Sequence, residues 1–353
     1  MRLKVALLFG GRSGEHEVSL RSAASVAEGL APRHEVLPLL VGKAGGWWLQ
    51  EGALPRPRGG TPVWLAPSPE DGGRLRRLSD AHELARPDVF FPVLHGTYGE
   101  DGTVQGLFEL AGVPYVGAGV AASAAAMDKA IMKALFAHAG LPQVEHRVLT
   151  RRDPDSEARL LDELGLPVFV KPANLGSSVA VSKVKTQAAL APALALAFSY
   201  DRKVVVERGH DVREIEVGVL GNDEPLASLP GEIVPDREFY DYDSKYSADS
   251  RTELVIPARI DAPLGEAVRR LGQAAFRAVD AAGYARVDCF LERSTGRLLL
   301  NEINTIPGFT SISMYPKLWA ASGVPYPDLL ARLVTLGLER HAARVRLSTH
   351  YGG

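Results

Sequence analysis

Apolar residues recur along this chain in two alternating periods. Leu3 to Phe9 is a continuous apolar run of β formers, which predicts a strand buried on both faces and ended by Gly10-Gly11. Beyond Ser13, the positions Val18, Ala23, Val26, Ala27 and Leu30 fall near helical spacing over 15–30, with acids in the first turn. Further strands are predicted at 34–41 and 88–94, and a helix at 101–111. Strands alternating with helices predict a parallel α/β layer. The stretch 52–82 between them is dense in Pro, Gly and Arg with little periodicity, and reads as a surface excursion.

A second unit begins near Ala122 with a helix running to Gly140, followed by strands at 144–149 and 167–171. Thr186 caps another helix reaching Tyr200, in which Pro192 is out of place because it removes a helical hydrogen bond. Strands at 203–208 and 214–220, joined by a short turn, predict an antiparallel pairing. A third unit holds a polar, aromatic segment at 237–250, a long helix at 262–282, and a hairpin of 285–291 with 298–302. Two helices and a basic tail from Arg340 follow. The expected divisions are 1–121, an N-terminal α/β unit, then 122–217 and 218–353.

At 353 residues, 46% hydrophobic and 23% charged, the chain fits two or three globular domains. A formal net charge of −2 argues against a nucleic-acid partner. One cysteine, Cys289, excludes a disulfide framework or Cys-rich zinc site within the chain and suits a reducing cytoplasm. The first apolar run stops at Phe9 with no cleavage pattern after it, and no run approaches about 18 residues, so neither a leader nor a membrane span is expected.

Chemistry concentrates in a few segments. Asn174-Leu175-Gly176-Ser177-Ser178, after a strand ending Lys171-Pro172, has the composition of a phosphate cradle, although not the Walker spacing; it reads as readily as a plain turn. In the predicted hairpin, period two places Arg286 and Asp288 on one face, with Glu302 and Asn304 beside them. Two acids and an amide suit Mg²⁺ that keeps waters, and a cross-strand Arg–carboxylate pair is the alternative. Gly308 in the following turn is a candidate oxyanion donor. His95 to Gly102 lies at a strand's carboxyl end, the usual ligand side of an open α/β sheet. Three tyrosines in 239–246 suggest a lid.

In order, the segments Glu15-His16-Glu17-Val18-Ser19-Leu20, His95-Gly96-x-x-Gly99-Glu100-Asp101-Gly102, Lys171-Pro172, Gly176-Ser177-Ser178-Val179, Phe239-Tyr240-Asp241-Tyr242-x-x-Lys245-Tyr246, Arg286-Val287-Asp288 and Asn301-Glu302-Ile303-Asn304-Thr305-Ile306-Pro307-Gly308 resemble the D-alanine–D-alanine ligases of the ATP-grasp superfamily. The resemblance spans Gly10 to about Tyr326 and implies a three-domain α/β architecture with a Rossmann-like first domain. It implies that Lys129 and Lys171 reach the ATP phosphates beneath a loop containing Ser177, Ser178 and Val179, and that Glu207, Arg208 and Gly209 hold the adenine. Glu214 would take the ribose, with Phe239, Lys245 and Asn301 also toward the nucleotide. Asp288, Glu302 and Asn304 would hold two Mg²⁺ or Mn²⁺ ions, and activation by K⁺ stays open. Glu15, Val18 and His95 would face the first D-alanine, while Arg286 and the Gly308 amide would face the oxyanion. Ser313 and Met314 would place the second carboxylate, with Lys245 near the substrates, and Tyr246, Ser177 and Glu15 would close the mouth as a hydrogen-bonded trio. A cytoplasmic homodimer making peptidoglycan precursors is the family expectation. A depsipeptide-forming relative would want histidine at Tyr246, and a nicotinamide dehydrogenase would want a glycine spacing that Gly10 to Gly14 lacks.

Overall fold

The computed structural model describes residues 2–150, 156–176, 179–235, 252–310 and 313–348. Ser177, Ser178 and the whole lid segment with Phe239, Lys245 and Tyr246 lie outside them. The described residues form three sheets.

The first sheet is built on Lys4–Gly10, which pairs in parallel with Glu35–Val41 on one side and Val89–Pro92 on the other. Flanked on both edges and covered on both faces, Val5 to Phe9 are wholly buried, as the unbroken apolar run requires. The stretch 52–82 is a correction to the sequence reading. Trp47–Leu49, Thr61–Leu65, Leu75–Arg77 and Glu83–Ala85 extend the same sheet antiparallel to seven strands. Val63, Leu65 and Leu75 are its buried hydrophobic side chains, too few to register as a period.

The helix expected from Ala122 to Gly140 is two helices, Val120–Met127 and Lys129–His138. Asp128 breaks them with an extended backbone, and its carboxylate caps the second through the amides of Ala130 and Ile131. Pro192 also finds its reason. A 3₁₀ turn at Gln187–Ala189 precedes the α-helix Leu190–Tyr200, so Pro192 lies in the first turn, where its missing N–H is no loss.

Strands 203–208 and 214–220 do not pair with each other, contrary to the short-turn reading. Lys203–Arg208 is sandwiched between His146–Thr150 and Val168–Pro172 in a four-stranded sheet, so both its edges are taken. Val212–Gly221 is the centre of a separate sheet, paired with Gly231–Val234 and Gly283–Glu292. This strand runs through the expected division at 217/218, and Val120–Met127 runs through that at 121/122. Helix Ala262–Ala278 covers this third sheet's apolar face.

The final helix, Tyr326–Val345, packs back on the first strands, with Leu329, Leu330, Leu333 and Val334 in one core with Val5, Leu7 and Phe9. Phe309 sits in that core with its ring 5.5 Å from Tyr284 and 5.6 Å from Tyr315. Burying such a ring contributes about 2–3 kcal/mol. It pins the turn that carries Gly308.

Candidate active site

The site face of the third sheet is set by alternation along three strands. Ile215, Val217 and Val219 point into the core, which leaves Glu214 and Glu216 on the other face. Ala285, Val287, Cys289 and Leu291 do the same, leaving Arg286 and Asp288 beside those glutamates. On the third strand, Leu298–Asn304, period two alone would send Leu298, Leu300 and Glu302 to one face. A bulge prevents this: Cys289 pairs with Leu300 and Asp288 with Glu302, so Asn301 is an extra, unpaired residue. Leu300 and Ile303 both reach the core, while Glu302 and Asn304 join the acids.

Arg286 is the centre of this group. Its Nε and a terminal nitrogen each donate at 2.7 Å to the two oxygens of Asp288, and Nε lies 3.0 Å from Glu216. Asn304 donates to Asp288 at 3.0 Å. Burial works against the guanidinium's charge, but Asp288 and Glu216 outweigh it and hold Arg286 firmly cationic. Two carboxylates and an amide oxygen on one face are the donor set of a hard cation that keeps waters and shares phosphate oxygens, and the residues fit Mg²⁺. Among the described residues no three His, Cys, Asp or Glu side chains close into a metal cage of their own. Cys289, on the core side, is a buried small hydrophobe whose thiol is pushed up by burial and then by the neighbouring acids.

A second charged group lies beside the first. Lys129, the first residue after the Asp128 break, donates at 2.6 Å to the Leu175 carbonyl and sits 3.9 Å from Glu302. Glu207 is 2% exposed and lies between Lys171 at 2.6 Å and Lys133 at 2.8 Å. Burial alone would raise its carboxyl, but the two lysines hold it far below the usual carboxylate range. Lys171 is raised despite burial, by Glu207, then Glu302 and Glu214. The neighbouring residues offer backbone only. Arg208 turns its guanidinium onto the carbonyls of Leu164 and Glu163, and the Gly209 amide donates to Pro167.

The loops of the first sheet face these strands. Ser13 ties the loop before helix His16–Leu30 to the His95 carbonyl at 2.5 Å. Gly96 takes φ +77°, and a Cβ there would stand 2.9 Å from the Glu15 carboxylate; one on Gly176 would stand 3.2 Å from it. Glu15 thus fills the gap between the two loops, with Gly176 next to Ser177. Val18 is buried one turn further on. His95 is 4% exposed, with Nδ1 3.0 Å from the Ile306 carbonyl and Nε2 3.0 Å from Ser22. Burial lowers its pKa, and the ring is neutral.

Gly308 packs so close to Ser313 that a Cβ would meet the Ser313 hydroxyl at 2.9 Å. Ser313 accepts from the Thr310 amide at 3.0 Å and precedes helix Met314–Ala321, whose first amides have no helical partner. Met314 points into an apolar cluster with Ile233 and Leu318, so its backbone is what it offers a substrate. Val179 returns from the cradle with its amide on the Gly176 carbonyl.

Three charged residues enclosed by the fold, Lys133 and Glu216 buried and Glu100 partly buried, escaped the sequence reading of roles. Lys133 looks like any lysine one turn after another, and Glu216 like a solvent-facing position on an alternating strand. Glu100 stood within a noted segment but without a role. Its carboxyl accepts from the Gly96 amide at 2.8 Å and is pushed well up by burial and by Glu15. The usable signal was spacing: Lys133 follows Lys129 by four residues, and Glu216 follows Glu214 by two.

The chain is similar along its length to proteins of one family. The family model "D-ala D-ala ligase N-terminus" matches residues 4–118, and "D-ala D-ala ligase C-terminus" matches 135–335. A D-alanine–D-alanine ligase of Heliobacterium modesticaldum is 52% identical over 99% of this chain and 98% of its own length. Among solved structures, the D-alanine–D-alanine ligase of Coxiella burnetii superposes with a TM-score of 0.84 at 36% identity, covering 98% of both chains. The VanG D-Ala:D-Ser ligase of Enterococcus faecalis gives 0.85 at 33%, covering 96% of this chain and all of its own. The chain belongs to the D-alanine–D-alanine ligase family.

Proposed function

We propose that this protein joins two molecules of D-alanine, converting ATP to ADP and phosphate by way of a D-alanyl phosphate. The observation that carries the reading is the 3.9 Å approach of Lys129 to Glu302, which sets a phosphate-type lysine against the acids of the cation site. In this reading the carboxylate of the first D-alanine attacks the γ-phosphorus and the β,γ-bridging oxygen leaves with ADP. Lys129 and Lys171 neutralise the phosphate charge in that step, which depends on positioning more than on covalent help. Asp288, Glu302 and Asn304 would hold Mg²⁺, which when bound neutralises phosphate oxygens.

Glu15, in the gap between Gly96 and Gly176, takes the ammonium of the first D-alanine, with Val18 and neutral His95 behind it. The neutral amine of the second D-alanine then attacks the acyl carbon. Arg286 and the Gly308 amide stabilise the oxyanion, and phosphate leaves. Ser313 and the free amides at the start of helix Met314–Ala321 receive the second carboxylate. By the family resemblance, Ser177, Ser178, Val179, Lys245 and Tyr246 would cover the site and keep water from the acyl phosphate. Glu207 to Gly209 meet the adenine through backbone, with Glu214, Phe239 and Asn301 around the nucleoside. Among the described residues no helix is long and apolar enough to cross a membrane. A cytoplasmic homodimer supplying peptidoglycan precursors is the setting that the family supports.

The test uses D-alanine labelled with ¹⁸O in its carboxylate, together with ATP and Mg²⁺. One label is expected in the phosphate released, with ADP as co-product. Release of AMP and pyrophosphate, or unlabelled phosphate, overturns the reaction. Parallel incubations with D-serine and D-lactate as second substrate settle the acceptor.

A further inference from the structure

Lys133 is a buried cation that the reaction above does not use. It lies one turn after Lys129 on helix Lys129–His138 and is 1% exposed. Its helix is fixed at one end by the Asp128 cap, itself paired with Lys203. Met132 and Phe136 anchor it in the core, and Gln143 donates to the Lys133 carbonyl at 2.8 Å. Among the described residues the ammonium has one carboxylate at hand, Glu207, and nearby His146 has its pKa lowered by burial and then by Lys133.

Lys171 holds the other oxygen of Glu207 under different circumstances. It is 12% exposed, and Glu302 and Glu214 also pull on its charge from the side of the cation site. The two lysines are therefore unequal. Among the described residues, one is enclosed with a single acidic partner, and the other faces the cleft with several.

A buried carboxylate stripped of every cation is costly, so an ion pair with one lysine resists the departure of that lysine. With two lysines, one can depart easily because the other remains. We propose that Lys133 is a positioning residue, the fixed counter-ion of Glu207 that frees Lys171 to leave this carboxylate for the nucleotide phosphates. The inference rests on the nucleotide reading given above and adds a residue to it. Lys133 touches no phosphate. It acts by leaving Glu207 neutralised when Lys171 turns.

The experiment is calorimetric titration of the full-length protein with ADP and Mg²⁺. Lys133→Met keeps the length and apolar stem of the side chain and removes the charge. ADP binding is expected to weaken by roughly 10- to 100-fold, the range of strongly coupled neighbours, with the KM for D-alanine unchanged. Lys133→Met/Glu207→Gln removes the carboxylate as well and is expected to bind ADP within about threefold of Glu207→Gln alone. A single variant that binds ADP like the parent overturns the proposal, and so does a loss that persists in the double variant. Should Lys133→Met fail to fold, the comparison of Glu207→Gln with the double variant decides: equal affinity supports the proposal, and a weaker double variant overturns it. A parent protein that does not bind ADP would instead refute the nucleotide reading.

Discussion

The two charged groups of the site are mirror images. Around Arg286, one cation lies between two acids, Asp288 and Glu216. Around Glu207, one acid lies between two cations, Lys171 and Lys133. Each is largely buried, and the three side chains named in each carry one more charge of one sign than of the other. The first is short of a cation and stands where a metal ion would bind; the second is short of an anion and faces the proposed phosphate path. Neither cluster is a minimum of electrostatic energy by itself, because a single matched pair would bury less charge. The surplus is what makes each cluster ready for a ligand of opposite sign.

Removing the centre of the first group should have the largest effect. Arg286→Ala is expected to lower kcat by about 10²–10³, since one oxyanion donor is lost. The same change leaves two acids without their cation, so half-saturating Mg²⁺ should fall while kcat falls. Phosphate release measured across a Mg²⁺ titration tests both signs together. A kcat within a few-fold of the parent would remove Arg286 from the chemistry.

Glu216→Gln attacks the same surplus from the other side. With one negative charge gone, Asp288 stays with Arg286 and competes less well for a cation. The Mg²⁺ requirement should rise by roughly 5- to 10-fold, and kcat at saturating Mg²⁺ should change less than in Arg286→Ala. An unchanged Mg²⁺ requirement would make Glu216 a structural partner only.

The smallest effect belongs to Glu100, which burial and nearby Glu15 push toward its neutral form. Its folded pKa is raised well above the ordinary carboxyl value of 4.5, so the folded chain holds a proton there that the unfolded chain has released. That contribution to stability is complete below the unfolded value and is lost as pH rises toward the folded one. Glu100→Gln keeps the neutral form at every pH. Its melting temperature should match the parent near pH 4.5 and exceed it near pH 8, by on the order of 2 °C. Thermal melts between these limits check the prediction, and parallel curves would sink it.

The sequence carried the strands and the ligand-bearing segments because each depends on local order. The Lys4–Gly10 strand is an unbroken apolar run, and Arg286 with Asp288 share a face by simple alternation. What escaped depends on distant partners or on a single residue. Asp128 reads as one acid inside a helical pattern until its own backbone turns extended and caps the next helix. Strand Lys203–Arg208 has both edges filled by strands from 146–150 and 168–172, which no short turn can reveal. Lys133 and Glu216 lie at positions where the pattern tolerates polar residues facing water. Only the tertiary fold encloses them.

The bulge at Asn301 has a consequence for how this chain can change in length. Before it, alternate residues from Leu298 pack inward; after it, the count is offset by one, and Ile303 packs inward. Inserting or deleting one residue between 299 and 303 would exchange the two sets, driving Glu302 and Asn304 into the core and Ile303 toward the ligands. The turn at 293–297, bounded by the Glu292–Arg297 backbone pair and exposed, has no such offset to keep. Length variation in descendants of this sequence is therefore confined to the turn, and the few residues of strand around Asn301 form a stretch in which substitutions can accumulate but gaps cannot.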